Sequence, residues 1–368
     1  MKKDVYFIGV DVDDKAYHFT ILSPEGERVA VGVRSTRDPG SLVKAVSKFT
    51  KNNSILIGYE ATYLGYSLYR QLRKLNVDCR VIAPSSISKA PQDRVKNDRK
   101  DSLRLALGLM RDEFSFVEVP SEKQESDRML LRSRSFLVAT KSDLKRHILS
   151  QCRLLEIDYK TETSSKDYWT KKHRNWLDKK IKELAASSHI ALMILIQQLE
   201  TIERQVDTLD VEIDHLSQQN EYSRKVAALK CFKGISTITA MIILTEIFDI
   251  NRFKHPKSLV SYLGLDIGEY SSGGKQIQFG ITKMGNRRIR TALVESSQMF
   301  WKSKTPSKRK QASRSGVDPK FIAIADRCQE RLYVKGHRLL AKEKPRNKVK
   351  VACAREMVGF IWEALKAA

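Results

Sequence analysis

No apolar run in this chain is long enough to cross a bilayer; stretches such as Ala191 to Ile196 fall far short of the roughly 18 residues a spanning helix needs. No leader peptide is expected on similar grounds, because Asp11 and Asp13 stand where a signal peptide would need apolar residues. Cysteine is scarce and scattered. Cys79, Cys152, Cys231, Cys328 and Cys353 are odd in number and form no CxxC pair, which argues against a disulfide framework or a zinc ribbon and for reduced, mostly buried thiols. The histidines, His18, His147, His173, His189, His215, His255 and His337, show no HxxxH or comparable ligand spacing. Acidic residues are also in short supply, 43 against 67 Lys and Arg. These absences together lead us to expect a soluble, cytoplasmic protein with no membrane partner.

What is present suffices for globular folding. At 368 residues, 41% apolar and 30% charged, the chain is long enough for two or three domains of roughly 150 residues, each with its own core. A formal charge of +24 exceeds what solubility requires and points to a polyanion, nucleic acid first. Half of that surplus falls between Trp301 and Lys350, where 16 Lys and Arg face only Asp318, Asp326, Glu330 and Glu343. Such a basic tail indicates a polyanion and not a reaction.

Period-two apolar patterning predicts strands over Val5–Val10, Ala16–Leu22 and Arg28–Val33, the last two joined through Pro24-Glu25-Gly26 as part of an antiparallel meander. Asp38-Pro39-Gly40 opens an amphipathic helix with Leu42, Val43, Val46 and Phe49 on one side. A buried strand over Ile55–Gly58 ending at Glu60, a helix over Tyr66–Leu75 and a strand Cys79–Ala83 follow. That order is the ribonuclease-H-like one. Helical spacing then places Leu103, Leu107 and Met110 on one face, and further helix runs through Met129–Cys152. After a polar stretch from Asp158 to Asp178, Leu195, Leu199, Ile202, Val206, Leu209, Ile213 and Leu216 recur in alternating steps of four and three, a heptad seam. Such a seam suits an amphipathic helix packed in its own domain, or an antiparallel or intermolecular coiled coil. Cys231-Phe232-Lys233-Gly234-Ile235-Ser236 reads as the tight turn of two hairpin-joined helices, either a structural pair or a grip in which Lys233 and Gly234 approach a phosphate. A last apolar-periodic helix covers Ala352–Leu365.

The acids suggest chemistry. Asp11 lies just past one strand and Glu60 at the end of another, so adjacent strands would bring them together. Asp98 and Asp101, three apart, share a helical face that can be laid against those strand ends. Four converging carboxylates repel one another unless cations neutralise them, and hard divalent ions, Mg²⁺ or Mn²⁺, suit oxygen-only ligands. Two such ions would clamp the attacking and leaving oxygens of a phosphodiester. Asp13 and Asp14 lie farther along the chain and rank below Asp11.

Taken together, Gly9-Val10-Asp11, Tyr59-Glu60-Ala61-Thr62, Lys96-Asn97-Asp98-Arg99-Lys100-Asp101, Ser271-Ser272-Gly273 and Ile281-Thr282-Lys283-Met284-Gly285-Asn286-Arg287-Arg288-Ile289-Arg290 resemble the DEDD transposases of the insertion-sequence-110 (IS110) family, Piv-like recombinases included. The resemblance covers nearly the whole chain. It implies an α/β RuvC/RNase H-like catalytic domain over 1–125, a helical linker and coiled coil over 126–222, and a mainly α C-terminal transposase domain with the serine motif and basic surface over 223–368. It also implies an enzyme of DNA recombination that cleaves and rejoins DNA, with Asp11, Glu60, Asp98 and Asp101 as catalytic metal ligands for two Mg²⁺ or Mn²⁺ ions. Ser272 is then the nucleophile forming a covalent serine–DNA intermediate, with Ser271 beside it as the alternative. Lys283, Arg287, Arg288 and Arg290 are expected to meet nucleic-acid phosphates. Family members use a structured guide RNA, so the partners implied are DNA, an RNA and further copies in a homodimer or homotetramer, in a nucleoid-associated prokaryotic setting. Against the family pattern, Asn97 stands where Thr is usual, Ser102 where Ala is usual, and Asp266-Ile267 lacks the expected Pro. The competing readings are a RuvC-like nuclease or junction resolvase acting through water, and a non-catalytic nucleic-acid scaffold.

Overall fold

The computed structural model describes residues 5–51, 53–87, 97–163, 165, 167–272 and 275–368. They fall into two compact units, Met1–Pro120 and Ser121–Ala368.

In the first unit β1 (Val5–Val12), β2 (Ala16–Leu22) and β3 (Arg28–Thr36) form the antiparallel meander read from the sequence. After α1 (Pro39–Thr50), capped by the Asp38 carboxylate accepting from the Ser41 amide, β4 (Ser54–Glu60) pairs parallel to β1. Then come α2 (Ser67–Lys74), β5 (Asp78–Ile82) parallel to β4, α3 (Asp98–Met110) and a two-residue β6 (Phe116–Val117). The sheet order is β3-β2-β1-β4-β5-β6. Strand alternation sends Ile8, Val10, Tyr17, Phe19, Ile21, Ile57 and Tyr59 to one side, where they bury with Leu42 and Val46 of α1 and Leu68 and Leu72 of α2. Phe49, expected on the apolar side of α1, is exposed.

The opposite side of the sheet carries α3. Its buried residues are Ser102, Leu105, Ala106, Gly108 and Leu109, whereas Leu103, Leu107 and Met110, read as its apolar face, are only half-buried. The reason is closeness: a helix lying directly on glycine-bearing strands needs small residues at the contact, and the longer side chains flank it.

The second unit is mostly helical. Its long helices α4 (Glu122–Leu154) and α7 (Ala186–Ser217) run antiparallel, as the Arg134–Asp210 and Lys145–Glu203 ion pairs show by rising along one and falling along the other. The heptad seam is therefore occupied within the chain, with Leu199, Ile202, Val206, Ile213 and Leu216 buried. At one end of this pair, α5 (Tyr159–Glu162) and α6 (Lys171–Lys182) bury Tyr159, His173, Leu177 and Ile181, so the polar stretch contains a small aromatic core. At the other end lie α8 (Ser223–Lys230), α9 (Thr237–Ile247), α10 (Pro256–Tyr262), the hairpin β7 (Ile267–Ser272) and β8 (Lys275–Ile281), α11 (Arg287–Ser297), α12 (Lys308–Ala312), α13 (Pro319–Ala341) and α14 (Arg346–Ala367). Met241, Ile243, Leu259, Leu293, Phe321, Leu332, Met357 and Ile361 form its core. All five cysteines are buried and unpaired, and burial pushes the Cys79 thiol up to about 12 and the Cys152 thiol up to about 11. Among the described residues no helix is long and apolar enough to cross a membrane.

Candidate active site

Parallel pairing of β1 with β4 runs to Val10 opposite Tyr59, which sets Asp11 and Glu60 side by side one step farther on. Alternation turns Gly9, Asp11, Gly58 and Glu60 toward α3. A Cβ on Gly9 would stand 2.2 Å from the Ser102 carbonyl oxygen and 2.3 Å from the Ala106 amide nitrogen. One on Gly58 would stand 2.9 Å from a Leu109 methyl. The two glycines thus let α3 lie on the strands, and a buried 2.9 Å hydrogen bond between the Thr20 and Ser102 hydroxyls sets its rotation. That bond explains Ser in place of Ala at 102. Asn97, in place of Thr, caps α3 by accepting from the Arg99 amide, so Asp98 and Asp101 occupy the first turn, where the helix dipole favours carboxylates.

All four acids thus stand toward one end of one face of the first unit. His18 of β2, opposite Asp11 in register, places Nδ1 3.1 Å from Asp98 Oδ2, a close contact without hydrogen-bond alignment. Arg104 lies 3.6 Å from Asp101. His18, one of the histidines that show no ligand spacing in the sequence, shares the α3-facing parity of Thr20. Asp14 is bound at the surface by Tyr63 and Arg37. The donor chemistry, carboxylate oxygens on one face, fits a hard divalent cation. As the side chains stand, no group of three acidic, histidine or cysteine side chains among the described residues could hold an ion.

In the second unit Ser271 and Ser272 end β7, where Ser272 pairs with Lys275 at the tip of the hairpin. Gly273, like Lys96 of the third acidic motif, lies outside the described residues. At the base of the hairpin the segment from Tyr262 to Asp266 packs on the Ile281–Arg290 motif. A Cβ on Gly264 would stand 2.4 Å from the Met284 carbonyl, and one on Gly285 2.1 Å from the Tyr262 carbonyl, both at positive φ. Backbone bonds from Thr282 to Asp266, Lys283 to Gly264 and Asn286 to Tyr262 close the seam.

The basic residues then divide. Lys283 and Arg287 are exposed. Arg290 turns inward and donates to the Leu263 carbonyl at 2.7 Å, and burial lowers its pKa from the usual arginine value. Lys233, expected at a phosphate, is 8% exposed, with its ammonium bound to the Ser303 carbonyl and hydroxyl at 2.6 and 2.7 Å. Gly234 abuts the Ser296 carbonyl, 2.4 Å from where its Cβ would be, and the first turn of α9 is capped by Ser236. Here the glycine turn serves helix packing. Glu246 was also missed, although an acid within the apolar run from Ala240 to Phe248 is a signal of a buried ion pair. It is 2% exposed and takes Arg132 bidentately at 2.9 and 3.0 Å and the Asn286 amide at 2.8 Å, with Arg128 and Arg288 at 3.7 Å. Burial pushes its carboxyl up, but these partners outweigh burial and hold it below the usual value.

Two family models match the chain, a DEDD transposase model of the IS110 group over residues 8–155 and the Transposase IS116/IS110/IS902 family over 226–313. The putative transposase y4qE of Sinorhizobium fredii is 34% identical over 361 residues, covering 97% of this chain and 87% of that one. The chain belongs to the IS110 transposase family. The transposase for insertion sequence element IS1533 of Leptospira borgpetersenii is 29% identical to this transposase, across 94% of this chain and 99% of its own. That for IS1111A of Coxiella burnetii is 23% identical, across 88% of both. The first model spans all four acids of this transposase, and the second spans the serine hairpin and the basic start of α11.

Proposed function

We propose that this transposase cleaves and rejoins DNA, with Asp11, Glu60, Asp98 and Asp101 and the Ser272 hydroxyl acting on one phosphodiester. The observation that carries the reading is the common face of the four acids, which α3 can reach only because residues 9 and 58 are glycine. The sheet order β3-β2-β1-β4-β5 supports a RuvC-like assignment for the first unit. Asp11, Glu60, Asp98 and Asp101 would hold divalent ions, Mg²⁺ or Mn²⁺, which supply charge neutralisation at the phosphodiester. Holding them there requires the Asp98 and Asp101 side chains to leave His18 and Arg104. The serine hydroxyl gives up its proton as its oxygen forms a bond to phosphorus, a phosphorus–oxygen ester bond breaks, and the departing deoxyribose oxygen takes up a proton in exchange. Reversal with a different strand's hydroxyl reseals DNA without ATP, because bond energy is kept in the phosphoserine ester.

The net charge of +24 supports a nucleic-acid partner, and Lys283, Arg287 and Arg288 are the residues proposed to meet phosphates. The guide RNA, a homodimer or homotetramer and a place at the nucleoid remain part of the proposal by family resemblance. Sequencing nucleic acid that co-purifies with the protein tests the RNA. For the chemistry, the transposase is incubated with end-labelled DNA from its own element and resolved on denaturing gels. Wild type and S271A are expected to yield a protein–DNA adduct, and S272A and D11N none. Cutting without an adduct in wild type and S272A alike would identify a water-using nuclease.

A further inference from the structure

The β7–β8 ribbon presents an apolar face that, among the described residues of its own unit, is left exposed. Tyr270 pairs directly with Ile277, and Phe279, two residues on, lies over Gly268, which is two residues before Tyr270. The three side chains therefore share one side of the ribbon and are 60%, 50% and 62% exposed. Ser271, Glu269 and Gln278 alternate with them, so the ribbon is amphipathic yet carries its apolar side in the open. Large exposed aromatic rings on a two-stranded ribbon cost solvation free energy and imply a binding partner. Charge identifies its class: the exposed Lys283 and Arg287 follow the ribbon, and residues 267–290 hold one acid, Glu269. A second copy across a two-fold axis would set like charge against like, whereas a nucleic-acid strand neutralises it. The proposed exchange of strands also requires bases to leave one partner before pairing with another, and an unpaired base offers a flat π face to stack.

We propose that Tyr270, Ile277 and Phe279 form a stacking platform for unpaired bases of the DNA strand, beside the serine proposed to attack it. This rests on the DNA reading above and adds what the hairpin recognises. Stacking on aromatic side chains is tolerant of base identity and is removed by truncating the rings. The test measures binding of the full chain to a short single-stranded oligonucleotide carrying 2-aminopurine and to the matching duplex, across a salt series. Y270A/F279A is expected to lose about tenfold or more in single-strand affinity, together with the quenching of 2-aminopurine, while duplex affinity and salt slope hold. Y270F/F279Y is expected to bind as wild type. Unchanged single-strand binding in Y270A/F279A, or a parallel fall for duplex, would overturn the proposal. So would a lower mass by sedimentation without DNA, which would assign the face to a second copy. S272A, measured alongside, is expected to bind and quench normally. A wild-type protein that stacks bases but forms no adduct would therefore count against the serine chemistry and leave the platform standing.

Discussion

Gly9→Ala is the substitution that most directly probes how the acids are assembled. A methyl group at residue 9 would stand 2.2 Å from one backbone atom of α3 and 2.3 Å from another, against an ordinary contact of about 3.5 Å. Neither is the movable end of a side chain. To restore contact, α3 must retreat from β1 by roughly 1 Å, opening the Thr20–Ser102 bond and carrying Asp98 and Asp101 away from Asp11 and Glu60. Overpacking of this kind costs typically 1–3 kcal/mol, and a displacement of about 1 Å at reacting groups costs on the order of a hundredfold in rate. The expected result is a folded protein, somewhat less resistant to urea, with adduct formation lowered by about two orders of magnitude. Gly359→Ala serves as the control: nothing lies within 4 Å of its added methyl in α14, and loss of a helical glycine should stabilise by about 0.5–1 kcal/mol with no change in activity. If G9A cleaves DNA at the wild-type rate with unaltered stability, the close approach of α3 to β1 does not position the acids.

Glu246→Ala removes the partner of three guanidinium groups and leaves the Arg128 side chain, 11% exposed, without its buried counter-ion; urea unfolding of the second unit is expected to show a loss of about 3–5 kcal/mol. Lys310 Nζ donates to the Lys230 and Ile235 carbonyls in a buried setting, and desolvation lowers its pKa to about 8. A lysine whose folded pKa is depressed binds its proton less readily than the unfolded chain does, so its contribution to stability rises as pH climbs from 8 toward 10.5. Compared with K310M, wild type should gain on the order of 1–2 kcal/mol across that window, after allowance for solvent screening, and a flat difference would refute the assignment.

Local physics settled much of this protein from sequence alone. Alternating apolar residues over Ala16–Leu22, the Asp38-Pro39-Gly40 start of α1 and the acids at the ends of β1 and β4 are properties of a few neighbouring residues, and strand period and helix capping act over that range. The same reasoning went astray where the partner lay far along the chain. The half-buried Leu103, Leu107 and Met110 gave a clear helical stripe, yet α3 turns Ser102 and Ala106 inward because Gly9, more than ninety positions earlier, admits a backbone there. The heptad seam of α7 announced a helix-packing surface, but only the fold assigned α4 of the same chain to it, since an apolar stripe states what it must bury and not against what. Lys233 and Arg290 read as cations for a phosphate, and burial turned both toward backbone carbonyls. Periodicity and charge are written one helical turn at a time. Which face meets which, and whether a cation points to solvent or into the core, is decided by contacts between residues that no local pattern connects.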